Sequence, residues 1–126
     1  MHVLLVEPDT ILSRTYAAAL KTAGHTVAVT PSAQAAVHLA DEKTPDVVVL
    51  ELQLGRHNGV EFLYEFRSYS EWLHVPVIIH TLVPPAELTQ SITLERELGV
   101  VQVLHKSATS LSQLCAAVAR AVPVAG

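Results

Sequence analysis

The side chains with chemistry to offer in this 126-residue chain are seven histidines, one cysteine and a scattered set of acids, hydroxyls and lysines. His2, His25, His38, His57, His74, His80 and His105 stand singly. No two share the i, i+4 spacing that sets a metal pair on one helix face. Cys115 is the only cysteine, so an internal disulfide is excluded, and no Cys/His spacing matches a zinc site. The remaining candidates lie directly after short apolar runs: Glu7-Pro8-Asp9, Pro31-Ser32, Glu51 to Gly59, Thr81 to Pro85, and His105-Lys106-Ser107. Carboxylates ligate hard cations or act as nucleophiles, and lysine offers a point charge to anions. These groups are distant along the chain. They share chemistry only if the runs that carry them are neighbouring strands.

The elements that would position them can be read from the apolar pattern. Five β-branched runs, His2–Val6, Thr26–Val29, Val47–Leu50, Val75–His80 and Val100–Leu104, are continuous rather than alternating, as in parallel strands buried on both faces. Between them the spacing turns helical. The expected helices cover Pro8 to Ala23, closed by Gly24, and Ala33 to Asp41, capped by Ser32. Three more cover Gly59 to Tyr69, Pro85 to Leu98 (closed by Gly99), and a stretch from Thr109 or Ser110 to about Val122. In the last, Leu111, Leu114, Cys115 and Val118 form the expected buried face. Pro8 suits a first helical turn, where its missing N–H is not needed. Strand–helix–strand units build a parallel sheet covered on both faces, and such open sheets bind ligands beyond the carboxyl ends of their strands. The expectation is one (βα)5 domain over residues 1–122, a parallel sheet with helices on both faces, with a loose tail over 123–126.

Composition narrows the classes. Hydrophobic residues make up 50% and charged residues 16%, against about 25% charged in typical soluble domains. That excludes intrinsic disorder. No run approaches the roughly 18 apolar residues of a membrane span. The amino terminus lacks a basic region and meets Glu7 too early for a signal peptide, so a cytoplasmic protein is expected. With 8 basic residues against 12 acidic ones, a net of −4, and no basic run, direct nucleic-acid binding is not expected.

These strand-end residues resemble the receiver domain of two-component response regulators, over Met1 to about Val122. Val3-Leu4-Leu5-Val6-Glu7 resembles the family's first strand and the start of its acidic pair. Thr44-Pro45-Asp46 with Val47 to Leu50 resembles the strand that leads to the phosphoryl acceptor. Leu54 and Asn58-Gly59-Val60-Glu61-Phe62 resemble the loop into the third helix, Pro76 to Thr81 the fourth strand with its hydroxyl switch residue, and Gly99 to Lys106 the fifth strand with the family's lysine. The resemblance implies phosphoryl transfer from a phosphohistidine to an aspartate, assisted by magnesium held on two adjacent acids. Lysine and hydroxyl then contact the acyl phosphate and draw the fourth-strand loop inward. It implies a flavodoxin-like α/β fold, a doubly wound sheet of strand order 2-1-3-4-5, and a signalling module rather than an enzyme.

The chain departs from that pattern at the decisive positions. Glu51 stands at the acceptor position, one methylene longer than aspartate, where in-line geometry sets the rate. Pro8 stands at the second acidic position and has no side-chain oxygen. Ser107 replaces the proline after the lysine, Leu82 the small residue after Thr81, and Val103 the aromatic switch residue. Glu7, Thr81 and Lys106 keep the family's types. No cofactor is expected; Glu7 and Glu51, with Asp9, retain at most weak magnesium affinity. Glu51 has three readings: a poor phosphoacceptor, a built-in mimic of the phosphorylated state, or a solvated carboxylate paired with Lys106. The preferred function is a receiver that acts by phosphorylation-independent protein–protein interaction with a kinase or effector. The alternative is a working magnesium-dependent phosphoacceptor of a phosphorelay. His80 and His105 can tune the pocket or simply face helices or solvent, and Cys115 packs as a small core residue. The last helix carries only Arg120 as a charge and presents Ser112, Gln113, Ala116 and Ala117 outward, an expected packing face. With Arg96 and Glu97 at the end of the fourth helix, it suggests a homodimer through the fourth helix, fifth strand and fifth helix.

Overall fold

A computed structural model describes residues 1–55, 57–88 and 91–121. The expected tail, the boundary at residue 122 and the side chain of Ile92 lie outside the described residues. Five strands, β1 (His2–Val6), β2 (Thr26–Thr30), β3 (Val47–Leu50), β4 (Val77–Thr81) and β5 (Val100–His105), form one parallel sheet. Its order is β2-β1-β3-β4-β5, as the receiver resemblance implies. Five helices alternate with them: α1 (Thr10–Thr22), α2 (Ala33–Glu42), α3 (Gly59–Arg67), α4 (Ser91–Arg96) and α5 (Leu111–Ala121).

The two faces of each strand feed two cores, because successive side chains point to opposite sides of a sheet. Leu4, Val6, Val48, Leu50, Val77 and Ile79 pack with Phe62, Phe66 and Leu63 of α3 and Ala36 and Ala40 of α2. Val3, Leu5, Val47, Val49 and Ile78 pack with Tyr16, Ala17 and Leu20 of α1 and Leu114, Ala117 and Val118 of α5. That two-sided demand is why the central strands read as unbroken apolar runs. The edge strands differ from this expectation: β2 is only partly buried and β5 buries Val100 alone, because each has a neighbour on one side.

Helix ends follow local chemistry, with several shifts from the sequence reading. Asp9, not Pro8, starts α1: its carboxylate accepts the Leu12 N–H at 2.9 Å. Pro8 therefore precedes the cap and is not a first-turn residue. Gly24, at φ 98°, ends α1 with its N–H on Lys21 O and the His25 N–H on Leu20 O, a left-handed closure that glycine adopts without strain. Ser110 and Gln113 cap α5 reciprocally, each side chain accepting the other's backbone N–H at 3.1 and 2.8 Å. The expected single helix from Pro85 to Leu98 is instead a 3-10 turn over Pro85–Glu87 followed by α4. A short antiparallel hairpin, Gln53–Leu54 with His57–Asn58, follows β3; the sequence reading leaves it as loop. Behind it, Gly59 opens α3 where an added Cβ would lie 2.9 Å from the Glu51 carbonyl oxygen.

Candidate functional site

The carboxyl ends of β1, β3, β4 and β5 are adjacent in the sheet, so Glu7, Glu51, Thr81 and Lys106 converge. Glu7 and Glu51 directly follow the last strand residues Val6 and Leu50, Thr81 ends β4, and Lys106 follows His105. All four are withdrawn from water: Glu7 is 3% exposed, Glu51 2%, Thr81 0%, and the Lys106 side chain 5%.

Glu51 is the hub. Its Oε1 accepts the Leu82 N–H at 2.9 Å and the Lys106 ammonium at 2.9 Å. Its Oε2 accepts the Gln53 N–H at 3.1 Å and the Thr81 hydroxyl. Thr81 Oγ1 in turn accepts the Val83 N–H at 3.1 Å. Lys106 also donates to Glu7 Oε1, while Glu7 Oε2 accepts the Asp9 N–H at 3.1 Å. Two carboxylates thus share one ammonium. Burial alone would push the Glu51 carboxyl up; bonds from Thr81, Lys106, Leu82 and Gln53 outweigh it and hold the group below its ordinary value. Burial likewise works against the Lys106 charge, and Glu7 and Glu51 reverse it, raising the lysine. Glu51 and Lys106 are therefore charged at neutral pH. Of the reading of Glu51 as a solvated carboxylate paired with Lys106, the pairing is present and the solvation is corrected: Glu51 is 2% exposed and each of its oxygens accepts two donors.

Two aromatic rings back this cluster. The Tyr16 ring lies 5.9 Å from Lys106 Nζ and meets His80 edge-on at 4.7 Å. His80 is 3% exposed with Nδ1 unpartnered. Burial first, and then the Lys106 charge, lower its pKa to about 4, so it is neutral in the folded chain. His105 is fixed differently: its Nδ1 bonds the Val83 carbonyl at 2.9 Å and ties the loop after β4 to β5.

The residues do not fit a magnesium site. Asp9 spends its carboxylate on the α1 cap, Pro8 offers no side-chain oxygen, and Glu7 and Glu51 are both engaged by Lys106. Among the described residues no three His, Cys, Asp or Glu side chains are grouped to hold a metal. Near-octahedral oxygen ligation therefore has no ready set here.

The peripheral candidates divide. Arg96, Glu97, Gln113 and Arg120 are exposed. Gln113 and Arg120 line a groove of about 310 Å³ with Gln102 and Leu104. Ala117 is 1% exposed and packs in the α1–α5 core; it lies three residues after Leu114 and shares its face, so it leaves the interface set. Leu111, expected in the core, is 43% exposed at the start of α5. Val103 pairs with Ile79 and is half-buried against the α2–α3 core. Cys115 is half-buried beside the other core. The sequence reading misses the two backbone donors, Leu82 and Gln53, and the Tyr16–His80 pair. Backbone donors carry no residue signature, and nothing in the sequence pairs Tyr16 with His80.

The response regulator receiver domain model matches residues 3–119. The alginate biosynthesis transcriptional regulatory protein AlgB of Pseudomonas aeruginosa is 32% identical over 86 residues, 68% of this chain and 19% of that protein. The chain thus spans about a fifth of the length of such curated relatives. Among solved structures, the Vibrio cholerae chemotaxis protein CheY4 superposes with a TM-score of 0.85 at 19% identity, covering 96% of this chain and 98% of that one. A sensor protein from Polaromonas gives 0.84 at 19% identity, covering 95% and 94%; at such identity these show the fold. The match to nearly the whole chain, on a parallel sheet whose strand ends gather Glu7, Glu51, Thr81 and Lys106, places this protein in the response regulator receiver domain family of two-component signalling.

Proposed function

We propose that this receiver works by protein–protein contact without an acyl-phosphate switch, and that Glu51 permanently supplies the contacts a phosphoryl group would make. One observation carries the reading: both carboxylate oxygens of Glu51 are saturated, by Lys106, the Thr81 hydroxyl and the Leu82 and Gln53 amides. A carboxylate in that state offers no free oxygen for in-line attack. It holds the hydroxyl, the lysine and the loop after β4 together, as the family's phosphorylated aspartate is expected to do. The loop is fastened at Leu82 to Glu51, at Val83 N–H to Thr81 and at Val83 O to His105, leaving Leu82 59% exposed as a contact residue. Its partner is a kinase or effector of a two-component pathway in the cytoplasm. The same reading includes a two-fold dimer through α4, β5 and α5, with Arg96, Glu97, Gln113 and Arg120 at its surface.

The test uses acetyl phosphate and, separately, beryllofluoride, each with magnesium, followed by intact mass and tryptophan fluorescence. The native protein is expected to gain no phosphoryl mass and to show no saturable magnesium response. The double variant Glu51→Asp with Pro8→Asp is expected to bind magnesium. A stable adduct on the native chain would falsify the proposal. Sedimentation at rising concentration checks the dimer, with Glu97→Arg expected to weaken it.

A further inference from the structure

The cleft between α2 and α3 has no part in the strand-end site. Its volume is about 480 Å³. The lining combines an apolar base, Val37 and Phe62, with Glu61 and Glu65 on α3 and His38 on α2; among the described residues no lysine or arginine contributes. Glu61 and Glu65 stand one turn apart on the same helix, where like charges repel. Among the described residues neither has an ion-pair partner. The positive end of α3 accounts for Glu61, which sits in the first turn. It does not account for Glu65.

A second feature lies beside them. Tyr69, 38% exposed, also lines the cleft. Its ring is held 4.8 Å from Trp72, which stacks on Phe66 at 4.9 Å, and Phe66 stacks on Phe62 at 5.4 Å. The tyrosine is thus a pre-positioned aromatic surface rather than a free side chain. Two carboxylates beside a fixed aromatic ring and an apolar base suit one side chain above others. Arginine lays its methylene stem on apolar surface, stacks its planar cation on a ring and gives a carboxylate two parallel N–H bonds. Lysine offers neither the fork nor the planar stacking.

We propose that the α2–α3 cleft docks an arginine-bearing segment of a partner protein. The charge of the cleft, opposite to that of the ligand, selects this occupant, and the inference stands whether or not Glu51 acts as a mimic. The test is an amide NMR titration of the isotopically labelled chain with a capped peptide carrying two arginines one helical turn apart. The same peptide with citrulline, and with lysine, at those positions is titrated in parallel. Saturable shifts confined to residues 33–38 and 58–69 are expected, with weaker binding of both control peptides. The double variant E61Q/E65Q, altered at two exposed positions, is expected to keep the native spectrum elsewhere and to weaken binding roughly three- to tenfold. Equal affinity for the citrulline peptide, indifference to E61Q/E65Q, or shifts lying only outside the cleft would each overturn the proposal. Equal affinity for the lysine peptide would overturn the assignment to arginine.

Discussion

Lys106 at the carboxyl ends of the strands and Arg67 near the amino ends of β4 and β5 are both drawn out of water, but by different partners. Lys106 sits between two carboxylates, Glu7 and Glu51. Among the described residues Arg67 meets no acid. Its Nε donates to Leu98 O at 2.9 Å, its Nη1 to Trp72 O at 2.7 Å and Leu73 O at 3.3 Å, and its Nη2 to Gly99 O at 3.3 Å. The guanidinium also lies 5.5 Å from the Phe66 ring centroid. Gly99 lets it approach: a Cβ there would come within 2.8 Å of Nη2, and the residue has φ 66°. A fork of fixed donors can knit four neutral carbonyls into a staple that no proton disturbs. A compact ammonium with two titratable partners makes a cluster whose energy depends on charge. The first arrangement suits fixed architecture, and the second suits a site where a family ordinarily switches.

Removing each cation tests that contrast most directly. Lys106→Met leaves Glu7 and Glu51 buried together without a counter-charge, and is expected to cost about 3–5 kcal/mol in urea unfolding at neutral pH. The deficit should shrink on acidification, as the carboxylates take up protons. A deficit that does not change with pH would break the comparison.

His80 gives the next effect. Its folded pKa of about 4 lies below the ordinary 6.5, so between those values the unfolded chain binds a proton that the folded chain refuses. Stability is then complete above pH 6.5 and falls as pH drops toward 4, by about 2–3 kcal/mol. Glu51 adds loss of the same sign only below its ordinary 4.5, since its pKa is lowered. His80→Phe keeps a ring against Tyr16 and is expected to reduce the decline from pH 6.5 to 5, leaving the part that the lowered His2 and His25 add with the same sign. An unchanged slope in that variant would place the titration elsewhere.

Arg67→Lys keeps the charge and removes the fork. Loss of several carbonyl contacts is expected to cost about 1–2 kcal/mol, with no added pH dependence across the neutral range. Equal tolerance of lysine at position 67 would mean that charge alone, rather than donor geometry, holds that end. The smallest effect is local: Asp9→Ala removes the α1 cap and should cost about 1 kcal/mol, read by thermal melting. Because Asp9 also donates its N–H to Glu7, the Glu7–Lys106 contact should persist in that variant.

Much of this molecule is legible in the chain. Continuous β-branched runs separated by helical spacing name a parallel sheet, since only strands covered on both faces require such runs; the strand order comes from the receiver resemblance. The polar residues at the run ends name the site, and Glu51 and Pro8 mark where it departs from the family. The less legible parts depend on contacts rather than types. Ala117 reads as outward because alanine carries no polarity signal, yet its position after Leu114 turns it into the core. The hairpin after β3 rests on two residue pairs, too few to produce a period. Pro8 fits a first turn as well as the residue before a cap, and only the Asp9 carboxylate decides between them.

The sequence by itself determines which groups reach the strand ends: two glutamates, one threonine, one lysine, and a proline where an acid would hold a cation. The tertiary structure decides how those groups share their bonds. Glu51 could reach water, a metal or Lys106, and side-chain type does not choose among these. The choice falls to the backbone N–H groups of Leu82 and Gln53 and to the closing of the site over a carboxylate 2% exposed. Once water is excluded, a carboxylate must take whatever donors the fold aims at it. Gln53 is local to Glu51, but Leu82, Thr81 and Lys106 belong to segments far along the chain that become adjacent only after folding.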